Sequence, residues 1–142
     1  MIEVVSRQRR RAMECERWRQ FAGRALEKIG VEEGVGATVA FVSDSRMRSL
    51  NKRFRGRDTT TDVLSFPSGA EEWEHAEDSG LGDVVVSVEQ AERQAAEHGL
   101  DFEGEVAQLI LHGLLHLCGY DHETDDGEMN TLELNLRRRL GI

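Results

Sequence analysis

The sequence predicts a small α/β (α+β) domain: a mixed sheet of about four strands packed with helices, with a three-histidine metal site at the end of a buried helix. Three observations lead there. Short β-branched runs alternate with stretches of helical periodicity in the order β-α-β-α-β-β-α-α-α. Val84-Val85-Val86-Ser87-Val88 is almost continuously apolar, the mark of a strand covered on both faces. His112, His116 and His122 stand in one short run at a spacing that lets three imidazoles close on a single ion.

Each element has its own signal. Residues 1–5 alternate weakly and suit an edge strand. Residues 12–29 carry Trp18, Phe21, Ala22, Ala25, Leu26 and Ile29 at helical spacing, and Gly30 stops that helix. Thr38-Val39-Ala40-Phe41-Val42 is a strand, after which Ser43 or Asp44 caps a short helix through about Arg53. Asp62-Val63-Leu64-Ser65-Phe66 is a second strong strand, closed by Pro67, the only proline of the chain. Residues 68–80 form an acidic, turn-rich loop without periodicity. The valine strand follows, then helices at about 89–98, 102–118 and 125–140. Leu, Ile and Val surround most of the second half of the helix at 102–118, so it is expected to be largely buried with its histidines opening to a cleft. With 142 residues, 39% hydrophobic, and no repeat or linker, residues 1–142 read as one domain able to fold alone.

Composition narrows the function. The N-terminal segment MIEVVSRQRRRAM lacks the apolar core of a signal peptide, and no run approaches a membrane span, so a soluble, cytoplasmic protein without membrane association is expected. Cys15 and Cys118 are too few for a disulfide framework, and a free thiol near a metal site suits a reducing compartment. A net charge of −9 argues against a general nucleic-acid coat. The charge is unevenly placed, however. Arg46, Arg48, Lys52, Arg53, Arg55 and Arg57 crowd one stretch in which Asp58 is the first acid, while Glu71, Glu72, Glu74, Glu77 and Asp78 make a separate acidic loop. The basic run is either a solvated helix face or a surface for phosphates.

The histidine run carries the chemistry. Residues four apart on a helix lie on one face about 5–6 Å apart, so His112 and His116 can bind one ion as a pincer. His122 must then arrive from a turn, which Gly119 supplies by adopting the left-handed conformation that ends a helix. Three neutral nitrogen donors favour zinc over magnesium or calcium and leave a fourth position for water, the expected reagent. The ligand spacing is similar to that of the zinc-dependent metzincin proteases, and Gly119 matches their glycine. Position 113 is Gly, where those enzymes carry the glutamate that works as general base. Glu105 lies roughly on the same helix face as His112, but seven residues at about 1.5 Å each separate them, too far for a direct replacement. The blander alternatives are core histidines satisfied by hydrogen bonds, or a closed structural zinc site with a fourth, usually Cys, ligand. The nearby Cys118 points about 160° away from the helix histidines on helical geometry.

Three blocks resemble the YbeY family of bacterial endoribonucleases. His112-Gly113, Leu115-His116-Leu117 and Gly119-Tyr120-Asp121-His122 agree with that family's histidine signature at each defined position. Arg55-Gly56, Asp58 and Thr61-Asp62-Val63-Leu64-Ser65-Phe66-Pro67 resemble its arginine-glycine loop and following strand, and Leu81-Gly82-Asp83 resembles a shorter block. Thr60 departs from the pattern, standing where many members have proline, and Cys118 falls at a variable position. The resemblance implies a zinc-dependent, single-strand-specific endoribonuclease that matures small-subunit (16S) ribosomal RNA and serves ribosome quality control. Its partners would be single-stranded RNA, ribosomal RNA and the small ribosomal subunit. One zinc per chain would sit on His112, His116 and His122, and Arg55 would take the role of the loop arginine.

The chemistry of the residues agrees with that implication. Phosphodiester hydrolysis concentrates negative charge on non-bridging oxygens, and a guanidinium can grip two of them in a planar fork. A zinc-bound water with its pKa lowered toward neutrality is the expected nucleophile, so a carboxylate base is dispensable. Asp121 either orients a ligand histidine or bonds its own backbone. Tyr120 and Phe54 either stack on unpaired bases or pack in the core. His75 and His98 are expected to be surface and helix-end residues without chemistry. The rival functions are a zinc metallopeptidase and a non-catalytic ribosome-assembly RNA-binding protein with a structural zinc.

Overall fold

Val84, Val85 and Val86 are fully buried near the centre of a four-stranded sheet, as their unbroken apolarity requires. The computed structural model describes residues 2–68, 80–121 and 126–142. Its strands are β1 (Ile2–Ser6), β2 (Ala37–Val42), β3 (Val63–Pro67) and β4 (Gly82–Ser87), in the spatial order β1-β2-β4-β3. β1 and β4 run parallel to β2, while β3 pairs antiparallel with β4, setting Leu64 opposite Val85 and Phe66 opposite Asp83. The expected mixed sheet is therefore present, and the element order agrees with the sequence reading. Pro67 ends an edge strand, where its missing N–H disturbs no inner ladder.

Both faces of the sheet are covered. The helices α1 (Cys15–Ile29) and α4 (Phe102–Leu117) cover one face, with α5 (Glu128–Leu140) laid against both. Trp18, Phe21, Leu26, Ile110, Leu114, Met129 and Leu136 meet Val39, Phe41, Val84 and Val86 in that layer. On the opposite face α2 (Asp44–Arg55) places Met47 and Leu50 against Ala40, Val42, Leu64, Phe66 and Val85. Burying each such side chain contributes about 1.5–3 kcal/mol, so the two layers together hold the sheet.

The ends of the elements differ from the sequence reading where tertiary contacts intervene. α1 begins at Cys15 rather than residue 12, because the preceding segment is held elsewhere. Arg10 and Arg11 pair with Glu92, and the Arg11 guanidinium lies 3.8 Å from the centroid of the Phe102 ring. Val88 opens α3 (Val88–His98) instead of closing the valine strand, since the Ser87 hydroxyl accepts the Gln90 N–H at 3.3 Å and caps the helix there. α5 starts at Glu128, after Gly127. α2 runs two residues past its expected end near Arg53, so Arg55 is its last helical residue rather than part of a loop.

The start of α2 is anchored with care. Ser43 Oγ accepts the Arg46 N–H at 3.1 Å, fulfilling the expected cap. The Asp44 carboxylate accepts hydrogen bonds from Ser87 Oγ at 2.6 Å and Thr60 Oγ1 at 3.0 Å, and it pairs with Arg93. Asn51 Nδ2 donates to the Thr59 carbonyl at 2.9 Å. These bonds tie α2 to α3 and to the segment entering β3. Among the described residues no helix is long and apolar enough to cross a membrane.

Candidate active site

α4 begins at Asp101, whose Oδ1 accepts the Gly104 N–H at 2.7 Å. The helix is buried along most of its length, and at Gly113 it comes unusually close to the sheet. A Cβ on residue 113 would stand 2.6 Å from Val84 Cγ1 and 3.3 Å from Ser65 Oγ. Ser65 Oγ donates to the Gly113 carbonyl at 3.0 Å, fastening α4 to β3. The position that carries a glutamate in metzincins is thus pressed against β4. The helix ends as its sequence predicts. Gly119 has φ 97°, its N–H bonds the His116 carbonyl at 3.0 Å, and the Tyr120 N–H bonds the Leu115 carbonyl at 3.1 Å. That paired closure ends the helix and turns the chain at Gly119.

His112 and His116 converge as the four-residue spacing requires. Their Nε2 atoms are 3.1 Å apart and their ring centroids 4.6 Å apart. Two nitrogens bound tetrahedrally to one zinc at about 2.0–2.1 Å would stand roughly 3.3 Å apart, so this pair fits a shared ion with little adjustment. His122, the third expected ligand, lies outside the described residues, and the described residues alone hold no cluster of three metal-binding side chains. The far nitrogen of His112 is engaged by a residue that the sequence reading missed. His112 Nδ1 lies 2.8 Å from Glu133 Oε1, and Glu133 Oε2 accepts from Arg137 at 2.6 Å. Burial pushes the Glu133 carboxyl up, but the His112 bond and the Arg137 charge outweigh it and hold the group below the ordinary glutamate value. A signal was present: Met129, Glu133 and Leu136 fall on one helical stripe, and both apolar members are fully buried.

The two imidazoles face a cleft of about 700 Å³, within the range of ligand-binding pockets. Arg55 lines the same cleft from the C-terminal end of α2, so the structure brings Arg55, His112 and His116 together. Asp62 and Asp121 add carboxylates, and β3 supplies the floor from Val63 to Pro67. Phe54 also lines the cleft, packed edge-to-face on Phe66 with centroids 5.2 Å apart, and Tyr120 lines it while packing on the main core. Both aromatic residues therefore combine a packing role with exposure to the cleft.

The other candidates are placed away from these groups. Glu105 is buried and lies 2.7 Å from His98 Nδ1, so it serves the junction of α3 and α4 rather than the His112 site. His98, read as a plain helix end, accordingly also makes a side-chain hydrogen bond across that junction. Cys118 does not line the cleft, and burial pushes its thiol up, which disfavours the thiolate a zinc ligand needs. Arg48 pairs with Asp58 at 2.9 Å on the exposed side of α2. His75 and the acidic loop at 69–79 lie outside the described residues.

A family model described as endoribonuclease YbeY matches residues 3–141. The chain belongs to the YbeY family of endoribonucleases. Among its relatives, the endoribonuclease YbeY of Desulforamulus reducens is 48% identical over 124 residues, covering 83% of this chain and 80% of that one. That of Solibacter usitatus is 42% identical over 123 residues, covering 87% and 77%. The solution structure of TM1509 from Thermotoga maritima is similar with a TM-score of 0.62 at 29% identity, covering 99% of this chain and 89% of that one. The Thr60 hydroxyl donates to Asp44 at 3.0 Å, a bond that a proline at this position would be unable to make.

Proposed function

We propose that the chain is a metal-dependent, single-strand-specific endoribonuclease acting in the cytoplasm on small-subunit (16S) ribosomal RNA, in its maturation and in quality control of the small subunit. One zinc ion per chain would be held by His112, His116 and His122. The observation that carries this reading is the shared cleft: two imidazoles with Nε2 atoms 3.1 Å apart and Arg55 line one cavity, which is the pairing of metal donors and phosphate grip that phosphodiester cleavage calls for. When bound, the ion would supply an acidified water and a Lewis acid. Arg55 would clamp non-bridging oxygens with its fork and hold the scissile phosphate against the imidazoles. Phe54 and Tyr120 would hold unpaired bases by their exposed ring surfaces, favouring single strands over duplexes.

The peptidase alternative loses support from Gly113, since no side chain can project from it without displacing Val84. The test is incubation of the purified, zinc-loaded chain with a single-stranded RNA oligonucleotide, its duplex form and casein. RNA cleavage that stops with chelator and returns with zinc, with duplex and casein left intact, is the expected result. Digestion of casein by a preparation free of other proteases, or RNA binding without cleavage, would overturn the nuclease reading in favour of the peptidase or the assembly module.

A further inference from the structure

Glu133 is a carboxylate in the wrong company for a residue that merely joins two helices. It is 5% exposed, flanked on its helical stripe by the fully buried Met129 and Leu136, and these apolar neighbours already dock α5 on α4. A buried ion pair is a poor tether, because stripping water from its charges offsets most of the attraction. What Glu133 does have is geometry. One oxygen faces His112 Nδ1 at 2.8 Å and the other accepts from Arg137 at 2.6 Å, one helical turn further on. A carboxylate only accepts, so the hydrogen shared with His112 must reside on Nδ1. In the neutral ring the lone pair is then on Nε2, the atom that faces His116 and the cleft.

We propose that Glu133 is a positioning residue that sets the tautomer of His112, with the proton on Nδ1 and the lone pair on Nε2, and that Arg137 keeps the carboxylate aligned for it. The use of that lone pair as a metal donor rests on the function proposed above; the tautomer itself does not. Replacing Glu133 by glutamine separates the two ideas while preserving size. The amide has one acceptor where the carboxylate has two. Arg137, always charged, claims the acceptor, which turns the amide NH₂ toward His112 Nδ1. Nδ1 must then accept, the proton moves to Nε2, and the metal-facing lone pair is lost.

The experiment is nitrogen-15 NMR of the ring nitrogens in the full metal-free chain, as parent and as Glu133→Gln, with zinc affinity measured on both by competition with a chelator. The parent is expected to carry its His112 proton on Nδ1. Glu133→Gln is expected to populate the Nε2–H form and to bind zinc roughly 10- to 100-fold more weakly. Arg137→Met, which leaves the carboxylate in place, should retain the parent tautomer in part. A parent with the proton on Nε2 overturns the proposal without need of any variant. So does a folded Glu133→Gln protein whose His112 tautomer is unchanged. A tautomer that follows Glu133 in a parent that takes up no zinc supports the positioning role and overturns the metal reading instead.

Discussion

Gly113 packs so closely on Val84 that a Cβ at residue 113 would lie 2.6 Å from Val84 Cγ1. Val84 is fully buried and β-branched, so it has little freedom to retreat. Gly113→Ala should therefore destabilise the fold by about 1–2 kcal/mol. Overpacking at about 1–3 kcal/mol exceeds the gain of up to about 1 kcal/mol from replacing a helical glycine. Urea denaturation of both proteins checks the figure. Gly113→Glu should unfold the chain or displace α4, and in neither case confer peptidase activity on casein.

Arg55→Ala should lower single-turnover cleavage of single-stranded RNA by roughly 100- to 1000-fold, the loss of about 2.7–4 kcal/mol seen when one donor to a developing oxyanion is deleted. Zinc content and circular dichroism should match the parent, because Arg55 lies at the exposed end of α2 and holds no metal. Lysine should restore activity only in part, being a point charge without the fork. A variant that cleaves at the parent rate would reduce Arg55 to part of a basic surface.

His116→Ala should leave less than one equivalent of zinc on the purified chain, read by elemental analysis. The thermal midpoint of the zinc-treated protein should fall as well, since ligand binding to the folded state is folding free energy. Full zinc occupancy in this variant would place the ion elsewhere.

Arg48→Ala should weaken RNA binding only mildly and make it less dependent on salt, as expected for one screened phosphate contact among several. Its pairing with Asp58 is exposed on both sides and screened by solvent, so stability should barely change. Binding isotherms at two salt concentrations distinguish this from the loss of catalysis expected of Arg55→Ala.

Asp44 gives an acid-sensitive joint. Burial pushes its carboxyl up, yet hydrogen bonds from Ser87, Arg93 and Thr60 prevail and hold it below the ordinary aspartate value. A carboxyl depressed in the folded state adds stability that is complete above its unfolded value of about 3.9 and vanishes as pH falls through the folded value. Asp44→Asn should consequently be less stable than the parent at pH 7, with the gap narrowing below about pH 4. Denaturation midpoints measured across that range decide it.

Much of the fold was legible because its signals are local. The valine run announced the inner strand, and Gly30 and Gly119 announced helix ends where the structure has them. The convergence of His112 and His116 followed from helical pitch alone. What escaped depends on chain segments meeting across the fold. Arg55 reads as a loop residue when the helix is taken to end near Arg53, whereas α2 continues through Arg55 to its cap at Gly56. Glu133 was passed over because its position on a buried stripe has meaning only once α5 is known to lie against His112. The strand order β1-β2-β4-β3 likewise comes from pairing, which periodicity does not encode.

The hydrogen bond between Ser65 and the Gly113 carbonyl spans 48 positions of chain. During translation Arg55 and β3 leave the ribosome seconds before α4 does, at ordinary rates of synthesis. Until α4 docks along that bond, the emerging polypeptide has one wall of the cleft and neither imidazole. The order of the segments thereby delays the meeting of Arg55 with the two imidazoles until α4 has docked on β3.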